Sequence, residues 1–234
     1  MKEALQRLRR RALIDVVGVA ALPLRRKRPD DPYHAVFSDF IAAANERTDL
    51  RVLELGARGA AVDPRLRAVG EYVGFDIHPG PNVDVVGDVH QLSKHISGPF
   101  DAVYAISTFE HLAMPWKAVL EINAVLADGG LLFVATHQTW PPHELPWDFW
   151  RYSPAAFEAL LNRETGFEIL RAERGLPALI VPMVDEPGLR GLHRHPGSLG
   201  VSVLARKVSA PRPDLQWNLT AADVIESEYP IERK

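Results

Sequence analysis

The stretch that constrains this chain most is VLELGARGA at residues 52–60, where a short apolar run leads into a turn of small residues. Two acidic residues, Asp76 in GFDI and Asp88 in GDVH, follow later apolar runs. Parallel strands of an open α/β sheet present their carboxyl ends at one edge, so a turn and two acids placed there would face one crevice. The sequence therefore predicts a cradle for a nucleotide-type cofactor.

Helical and strand patterns alternate along the chain. Apolar residues at helical spacing begin after Tyr33 and recur at residues 115–128, whereas unbroken apolar runs such as residues 100–107 are typical of buried strands. This order predicts a Rossmann-like, doubly wound α/β fold with helices on both faces of a seven-stranded, mostly parallel sheet. The predicted strands are residues 51–55, 71–76, 84–86, 100–107, 130–137, 167–174 and 201–208, and further helices are predicted at residues 63–69, 153–162 and 220–228.

The 234 residues, 47% of them hydrophobic, fit one α/β domain with a core of its own. We expect a helical extension at residues 1–32, the main domain at residues 33–208 and a tail at residues 209–234. Within the main domain we expect a substrate loop at residues 137–153 and an insertion at residues 176–200, which is a candidate cover of the active site or a candidate dimer contact. The absence of cysteine excludes disulfides and a cysteine nucleophile, and it fits a cytoplasmic location.

The N-terminal segment places an apolar run, residues 12–24, between two basic blocks. The run is too short to span a bilayer and contains Asp15. The second basic block, directly after it, argues against a signal peptide. An amphipathic helix packed on the domain or on a partner is the simpler interpretation, and peripheral contact with an anionic membrane surface is the alternative.

The turn after the first strand argues against two common phosphate-binding motifs. A G-x-G-x-x-G fingerprint needs small residues at two places, one of which holds Arg58, and the chain has no Gly-Lys-Ser or Gly-Lys-Thr. A carboxylate at Glu54 suits a positively charged amino group and repels a pyrophosphate. A dinucleotide is therefore a less suitable ligand than a cofactor with a cationic end, although a nicotinamide-dependent oxidoreductase remains an alternative.

Residues 52–56 resemble the first motif of the class I S-adenosylmethionine-dependent methyltransferases (type 11-like), which reads V-L-D/E-L-G-x-G-x-G. Arg58 and Ala60 depart from it at the second and third glycines. The resemblance extends in order from about residue 37 to residue 208 and includes STFEHL at residues 107–112. It implies S-adenosylmethionine as the cofactor, with Asp76 on the ribose hydroxyls and Asp88 on the adenine amine. The implied cofactor-binding residues are Glu54, Gly56, Ala57, Asp76, Ile77, Asp88, Val89 and Ser107.

Aromatic residues crowd the segment THQTWPPHELPWDFWRY at residues 136–152. A cluster at the mouth of the cofactor crevice is well placed to stack on a substrate and exclude water. The segment PWDFWRYS resembles methyltransferases of carbohydrate and glycolipid pathways, including those of mycobacterial methylated polysaccharides. The resemblance implies a hydroxyl of a sugar, oligosaccharide or glycolipid precursor as acceptor, with another small natural product as the alternative. The predicted substrate contacts are Trp140, Glu144, Trp147, Asp148, Trp150 and Tyr152.

An alcohol must lose a proton as it attacks a methyl group, and a histidine can take that proton at neutral pH. We expect His143 in the aromatic loop to be this base, followed by His137 and His111. The predicted strand ends are poor in carboxylates, so we expect no metal, although Glu110 and Glu144 leave a divalent ion open.

Nucleic acid is not the expected partner. The net charge of −3 gives no overall electrostatic footprint for it, and cytosine C5 methylation would need a cysteine nucleophile. The Trp-Pro-Pro-His segment at residues 140–143 follows the fifth predicted strand and lacks the leading Asp or Asn of the DNA amino-methylating enzymes. We therefore expect a small-molecule or oligosaccharide acceptor, with a non-catalytic, membrane-proximal scaffold as a further alternative.

Overall fold

The computed structural model describes residues 2–20, 31–59, 62–218 and 228. The chain divides into two compact units, residues 1–31 and residues 32–234. The first contains helix α1 (Lys2–Ala20), in which the side chains of residues 11–20 are exposed. No helix in the described part of the chain is both long and apolar enough to cross a membrane.

The second unit is built on a seven-stranded sheet in the order β3-β2-β1-β4-β5-β7-β6. Strands β1 to β5 pair in parallel, and β7 is antiparallel to both β5 and β6. This confirms the predicted seven-stranded, mostly parallel Rossmann-like sheet. The strands are β1 (Leu50–Leu55), β2 (Val69–Asp76), β3 (Val85–Val86), β4 (Phe100–Ile106), β5 (Leu126–His137), β6 (Phe167–Ala178) and β7 (Gly197–Lys207). The helices of this unit are α2 (Pro32–Asn45), α3 (Leu92–His95), α4 (Pro115–Val125) and α5 (Pro154–Leu160).

Side chains of β1 alternate between two separate hydrophobic cores. Val52 packs with Phe40 of α2 on one face, whereas Leu53 and Leu55 pack with Ile122 of α4 on the other. All five side chains are fully buried, and a buried aliphatic or aromatic side chain contributes roughly 1.5–3 kcal/mol through removal of its surface from water. Helices cover both faces, as the alternation of strands and helices predicts.

The order of the strands reverses beside β1, since β2 lies on one side of it and β4 on the other. Connections that leave β1 and β4 at their carboxyl ends therefore diverge to opposite sides of the sheet. Such a switch point opens a crevice in which open α/β sheets bind their ligands. The turn after β1 and the segment after β4 stand at the mouth of this crevice.

The helix predicted at residues 63–69 does not form. The Asp63 carboxylate accepts hydrogen bonds from the backbone N–H and the guanidinium of Arg65, at 2.8–2.9 Å. These bonds close a local turn, and β2 already begins at Val69. An aspartate before a proline is typical of helix starts, but here only a few residues separate it from the next strand.

Two further boundaries differ from the sequence-based expectation. Helix α4 ends at Val125 rather than at residue 128, because Leu126 adopts extended backbone and pairs with Phe100 of β4. Strands β6 and β7 extend into the predicted insertion, which leaves residues 179–196 between them. The helix predicted at residues 220–228 lies outside the described residues except for its last residue, Glu228.

Candidate active site

A cavity of about 520 Å³ lies at the carboxyl ends of the central strands. Its lining includes Gly56 after β1, Asp76 at the end of β2, Asp88 after β3 and Ser107 after β4. A volume of this size is typical of sites for small molecules and cofactors. Four short segments far apart in sequence thus surround one cavity.

The turn after β1 depends on close contact between Gly56 and Thr108. Gly56 has a φ of +84°, and a Cβ added there would lie 2.2 Å from Thr108 Oγ1. The Thr108 hydroxyl donates a hydrogen bond to the Leu55 carbonyl at 3.0 Å, which holds the threonine against the turn. Ala57 is fully buried beneath the turn, whereas Arg58 lines the cavity.

Replacing Gly56 by alanine should lower the free energy of unfolding by about 2–4 kcal/mol, because it combines positive-φ strain with a clash against Thr108. Urea unfolding of the two proteins measures the difference. Gly59→Ala is the matched control, since a Cβ at Gly59 meets nothing within 4 Å. Equal losses in both variants would contradict the proposed cause.

Asp76 is the acidic residue at the end of β2, and its side chain is 8% exposed. Its carboxylate accepts hydrogen bonds from the backbone N–H groups of His78, at 2.9 Å, and Arg58, at 3.3 Å. The neighbouring Ile77 also lines the cavity. The carboxylate is thereby fixed between the turns that follow β1 and β2.

Asp88 is held by the histidine two residues later. Its Oδ1 accepts the His90 backbone N–H at 2.9 Å and lies 2.6 Å from His90 Nδ1. The Met114 backbone N–H donates to His90 Nε2 at 3.2 Å, so the ring proton belongs on Nδ1 and is donated to Asp88. Burial would raise the pKa of Asp88, but His90 and the Lys117 charge hold that pKa below its usual value. Val89, between the two, also lines the cavity.

The structure places Glu54 apart from the cavity lining, which departs from the expectation that it contacts the cofactor. The period of two along β1 directs its side chain to the α2 face, where Glu54 Oε2 accepts the hydroxyl protons of Tyr104 and Tyr72 at 2.5 and 2.6 Å. Burial raises the pKa of Glu54, and the two tyrosines offset part of that rise. Its role as a direct cofactor ligand stays a prediction.

Of the three candidate histidines, all of which the structure describes, His111 lines the cavity. Its Nδ1 lies 2.7 Å from the Trp147 carbonyl oxygen, which only accepts, so Nδ1 is the donor. Its Nε2 lies 3.7 Å from Glu144 Oε2. Glu144 and Trp147 line the same cavity, so the aromatic loop forms one wall of it.

His143 lies next to His111, and His137 lies next to His143; neither is among the described residues that line the cavity. The His143 ring centroid is 4.8 Å from that of His111 and 5.2 Å from that of His137. His137 Nδ1 lies 2.7 Å from Oε1 of the fully buried Glu110, whose Oε2 accepts the Thr136 hydroxyl proton at 2.6 Å. Burial alone would raise the pKa of Glu110, but His137 and Thr136 hold that pKa below its usual value.

Asp148 is paired with Arg151 rather than directed at the cavity. The guanidinium donates to both carboxylate oxygens at 2.6 and 2.7 Å, and the His143 backbone N–H donates to Oδ2 at 3.0 Å. Arg151 also donates to the carbonyls of Trp140 and Pro141, at 3.2 and 3.3 Å. Asp148 therefore fixes the loop in this structure, and its predicted substrate contact stays a prediction.

Replacing Asp148 by asparagine should destabilise the protein by about 1–2 kcal/mol at pH 7. The expected loss is no larger because Arg151 is partly exposed and solvent screens the ion pair. Arg151 lowers the pKa of Asp148 to about 2. The ion pair therefore contributes fully above the unfolded pKa of about 3.9, and its contribution is lost as pH falls toward 2. Chemical unfolding at several pH values measures this. The exposed pair of Asp185 and Arg190 supplies the control Asp185→Asn, which should change little.

The remaining predicted substrate residues occupy different surroundings. Trp140 is 43% exposed and stacks on the His137 ring, with centroids 4.7 Å apart. Trp150 is 37% exposed, and its indole N–H donates to the Leu112 carbonyl at 2.9 Å. Tyr152 lies in the core, where its hydroxyl donates to the Phe109 carbonyl at 3.0 Å. The Tyr152 hydroxyl thus has a protein partner in this structure, and the substrate contact at Tyr152 stays a prediction.

Several cavity residues were not predicted from the sequence. They are Pro79, Gly80 and Pro81 after β2. A signal for these residues existed, because HPGP directly follows Asp76 and any turn at that end of β2 borders the crevice. Thr108 and Leu112 also line the cavity and belong to the STFEHL segment that carries the resemblance, but the contact of Thr108 with Gly56 depends on strands β1 and β4 pairing.

Comparisons with known proteins agree with this architecture. A family model described as a methyltransferase domain matches residues 6–172. A curated relative, the ubiquinone biosynthesis O-methyltransferase of Xanthomonas axonopodis pv. citri, is 29% identical over 126 residues, which is 46% of this chain. The match spans about half, 53%, of that relative's length.

Solved structures show the same fold at low sequence identity. The YcgJ protein of Bacillus subtilis superimposes with a TM-score of 0.54 at 16% identity, covering 76% of this chain and 99% of its own. A SAM-dependent methyltransferase of Archaeoglobus fulgidus has a TM-score of 0.53 at 17% identity, covering 74% and 92%. The predicted cofactor, S-adenosylmethionine, agrees with the family match and with this fold. Since the family model covers well over half of the sequence, the chain belongs to the methyltransferase-domain family.

Proposed function

We propose that this protein transfers the methyl group of S-adenosylmethionine to a hydroxyl of a small-molecule acceptor, with His111 as the base. The position of His111 carries the proposal. It lines the cavity, and its ring is oriented by the Trp147 carbonyl. The earlier preference for His143 gives way to His111 because a base must reach the acceptor beside the cofactor.

The cavity residues fit S-adenosylmethionine. The two oxygens of the Asp76 carboxylate suit the two hydroxyls of a ribose, and Asp88 suits an amino group. Gly56 lines the cavity, and its missing Cβ lets the turn after β1 pack closely against Thr108 at the cavity edge. When bound, the cofactor supplies an electrophilic methyl group on a sulfonium sulfur.

His111 is suited to accept a proton at Nε2. Because Nδ1 donates to a carbonyl, the neutral ring carries its basic lone pair on Nε2. The imidazolium that forms would be stabilised by the Glu144 carboxylate, whose Oε2 lies 3.7 Å from Nε2. Trp147 is 6% exposed and closes part of this wall against water.

We propose a sugar, oligosaccharide or glycolipid precursor as the acceptor. Support comes from the PWDFWRYS resemblance and from the exposed rings of Trp140 and Trp150, since partly exposed indoles stack on the apolar faces of sugar rings. The curated relative is named for ubiquinone biosynthesis, so acceptors of that kind belong in the same test.

An acceptor screen with methyl-labelled S-adenosylmethionine tests this proposal. The panel holds unmethylated and partly methylated oligosaccharides, glycolipids, phenols and amines. We expect label on a sugar hydroxyl. Label confined to phenols would overturn the sugar assignment, label confined to nitrogen would overturn O-methyl transfer, and cofactor binding without turnover would favour the scaffold alternative. Binding of NAD(P) in place of S-adenosylmethionine would overturn the proposal as a whole.

A further inference from the structure

Several potential metal ligands lie close together near His111, at the carboxyl end of β5 and in the aromatic loop. One set consists of Glu110, His137 and His143, whose ligand atoms all lie within 4.8 Å of one another. A second set consists of His111, His143 and Asp148 at the same separation. His143 belongs to both sets, so one ion at most would use it at a time.

The second set is less suitable for a cation. Both oxygens of Asp148 already accept hydrogen bonds from the Arg151 guanidinium at 2.6 and 2.7 Å. A fixed positive charge at that distance repels a metal ion, and the His143 backbone N–H also donates to Oδ2 at 3.0 Å, so the carboxylate is largely engaged by protein donors. His111 is further engaged by the Trp147 carbonyl.

The first set contains buried polar atoms that lack hydrogen bonds. Glu110 Oε1 and His137 Nδ1 lie 2.7 Å apart, yet neither makes a hydrogen bond of acceptable geometry with any described residue. Glu110 is completely buried. Buried carboxylate oxygens are normally satisfied by donors or by a metal ion, so this unsatisfied oxygen is evidence for a missing partner.

We propose that Glu110, His137 and His143 form a binding site for a divalent transition-metal ion. Two imidazoles and one carboxylate are the ligand types that suit Zn²⁺, Co²⁺ or Mn²⁺, whereas Mg²⁺ prefers oxygen ligands alone. This goes beyond the methyl-transfer proposal and does not depend on it. It also replaces the expectation, from the carboxylate-poor strand ends, that the protein holds no metal.

The surroundings of the three side chains support this site. The Thr136 hydroxyl donates to Glu110 Oε2 at 2.6 Å and fixes the carboxylate, as hydrogen-bonded residues around metal ligands usually do. Glu110 follows β4, His137 ends β5 and His143 lies on the aromatic loop, so one ion would join three segments. His137 and His143 are partly exposed, which leaves a path for the ion to enter.

Metal titration of the full chain, after removal of metals with a chelator, tests the site. Calorimetry with Zn²⁺ and visible absorption with Co²⁺ should each report one tight equivalent. Since loss of a supporting residue usually costs 10–100-fold in metal affinity, loss of a ligand in His137→Ala or His143→Ala should weaken binding by at least about 100-fold. Glu110→Gln should weaken metal binding by a similar factor, and it keeps the shape of the buried side chain.

The exposed residues His193 and His195 provide the matched control, because a surface histidine pair also attracts transition metals. The double variant H193A/H195A should retain the tight equivalent. Circular dichroism and melting temperature identify any variant that fails to fold, and His143→Ala is the least disruptive, since its ring is partly exposed. Tight binding that survives in folded His143→Ala and Glu110→Gln, or that is absent from the unaltered protein, would overturn the proposal.

Discussion

Replacing Asp76 by alanine should weaken S-adenosylmethionine binding by about 10²–10⁴-fold, because two hydrogen bonds to a charged acceptor, each worth roughly 1.5–3 kcal/mol, would be lost. The Asp76 carboxylate lines the cavity and is already oriented by the N–H groups of His78 and Arg58. Its removal also breaks the hydrogen bond from the Arg58 backbone N–H. Isothermal titration of the cofactor and of its demethylated product measures the loss.

Two controls sharpen this result. Asp76→Asn keeps one acceptor oxygen, so it should fall between the alanine variant and the unaltered protein. Asp128→Ala removes a carboxylate that is 84% exposed and pairs only with Lys207 among the described residues, so it should leave binding unchanged. Equal cofactor affinity in Asp76→Ala and Asp128→Ala would exclude Asp76 from the binding site.

Replacing His111 by alanine should lower the rate of methyl transfer by about 10²–10⁴-fold, the usual contribution of a positioned general base. Cofactor affinity should change by only a few fold, because the acids Asp76 and Asp88 remain in place. Single-turnover measurements with labelled cofactor separate the chemical step from binding.

His143→Ala and His137→Ala decide between the three histidines. If His111 is the base, each should lower the rate less than His111→Ala does. His195→Ala, on an exposed segment, should behave as the unaltered protein. A full rate in His111→Ala with a large loss in His143→Ala would return the base to the residue that sequence alone favoured.

Much of the fold was predictable because the signals for it are local. The apolar run at residues 100–107 identified β4, and the helical spacing from residue 115 identified α4. The end of α4 was not predictable, since the helical pattern continues past Val125 and only pairing with Phe100 draws Leu126 into β5. The same applies to Asp63, whose side chain formed a turn instead of starting a helix.

The site residues also fall into those that local sequence predicts and those that depend on tertiary contacts. Asp76 and Asp88 follow strands whose ends must meet at one edge, so their position beside the cavity was predictable from strand order. Glu54 was expected beside the cofactor, yet the face on which it lies depends on the two tyrosines that adjoin it across the sheet. Residue type alone suited both Tyr152 and Asp148 to a substrate contact. In the structure, the Tyr152 hydroxyl donates to the Phe109 carbonyl and the Asp148 carboxylate pairs with Arg151.

The sequence by itself predicted the Rossmann-like sheet and the crevice after β1, because strand periodicity and the residues that end each strand are encoded along the chain. The cofactor class followed from the resemblance of residues 52–56 to the first methyltransferase motif. The tertiary structure decided which histidine reaches the cavity and that Glu110, His137 and His143 converge. The reason is physical: the loop after β5 carries no periodic pattern, and side chains such as Trp150 and Tyr152 are oriented by the carbonyls of Leu112 and Phe109, which are distant in sequence. VLELGARGA thus determines where the cofactor crevice opens, and the packing of the aromatic loop determines the residues that face the acceptor.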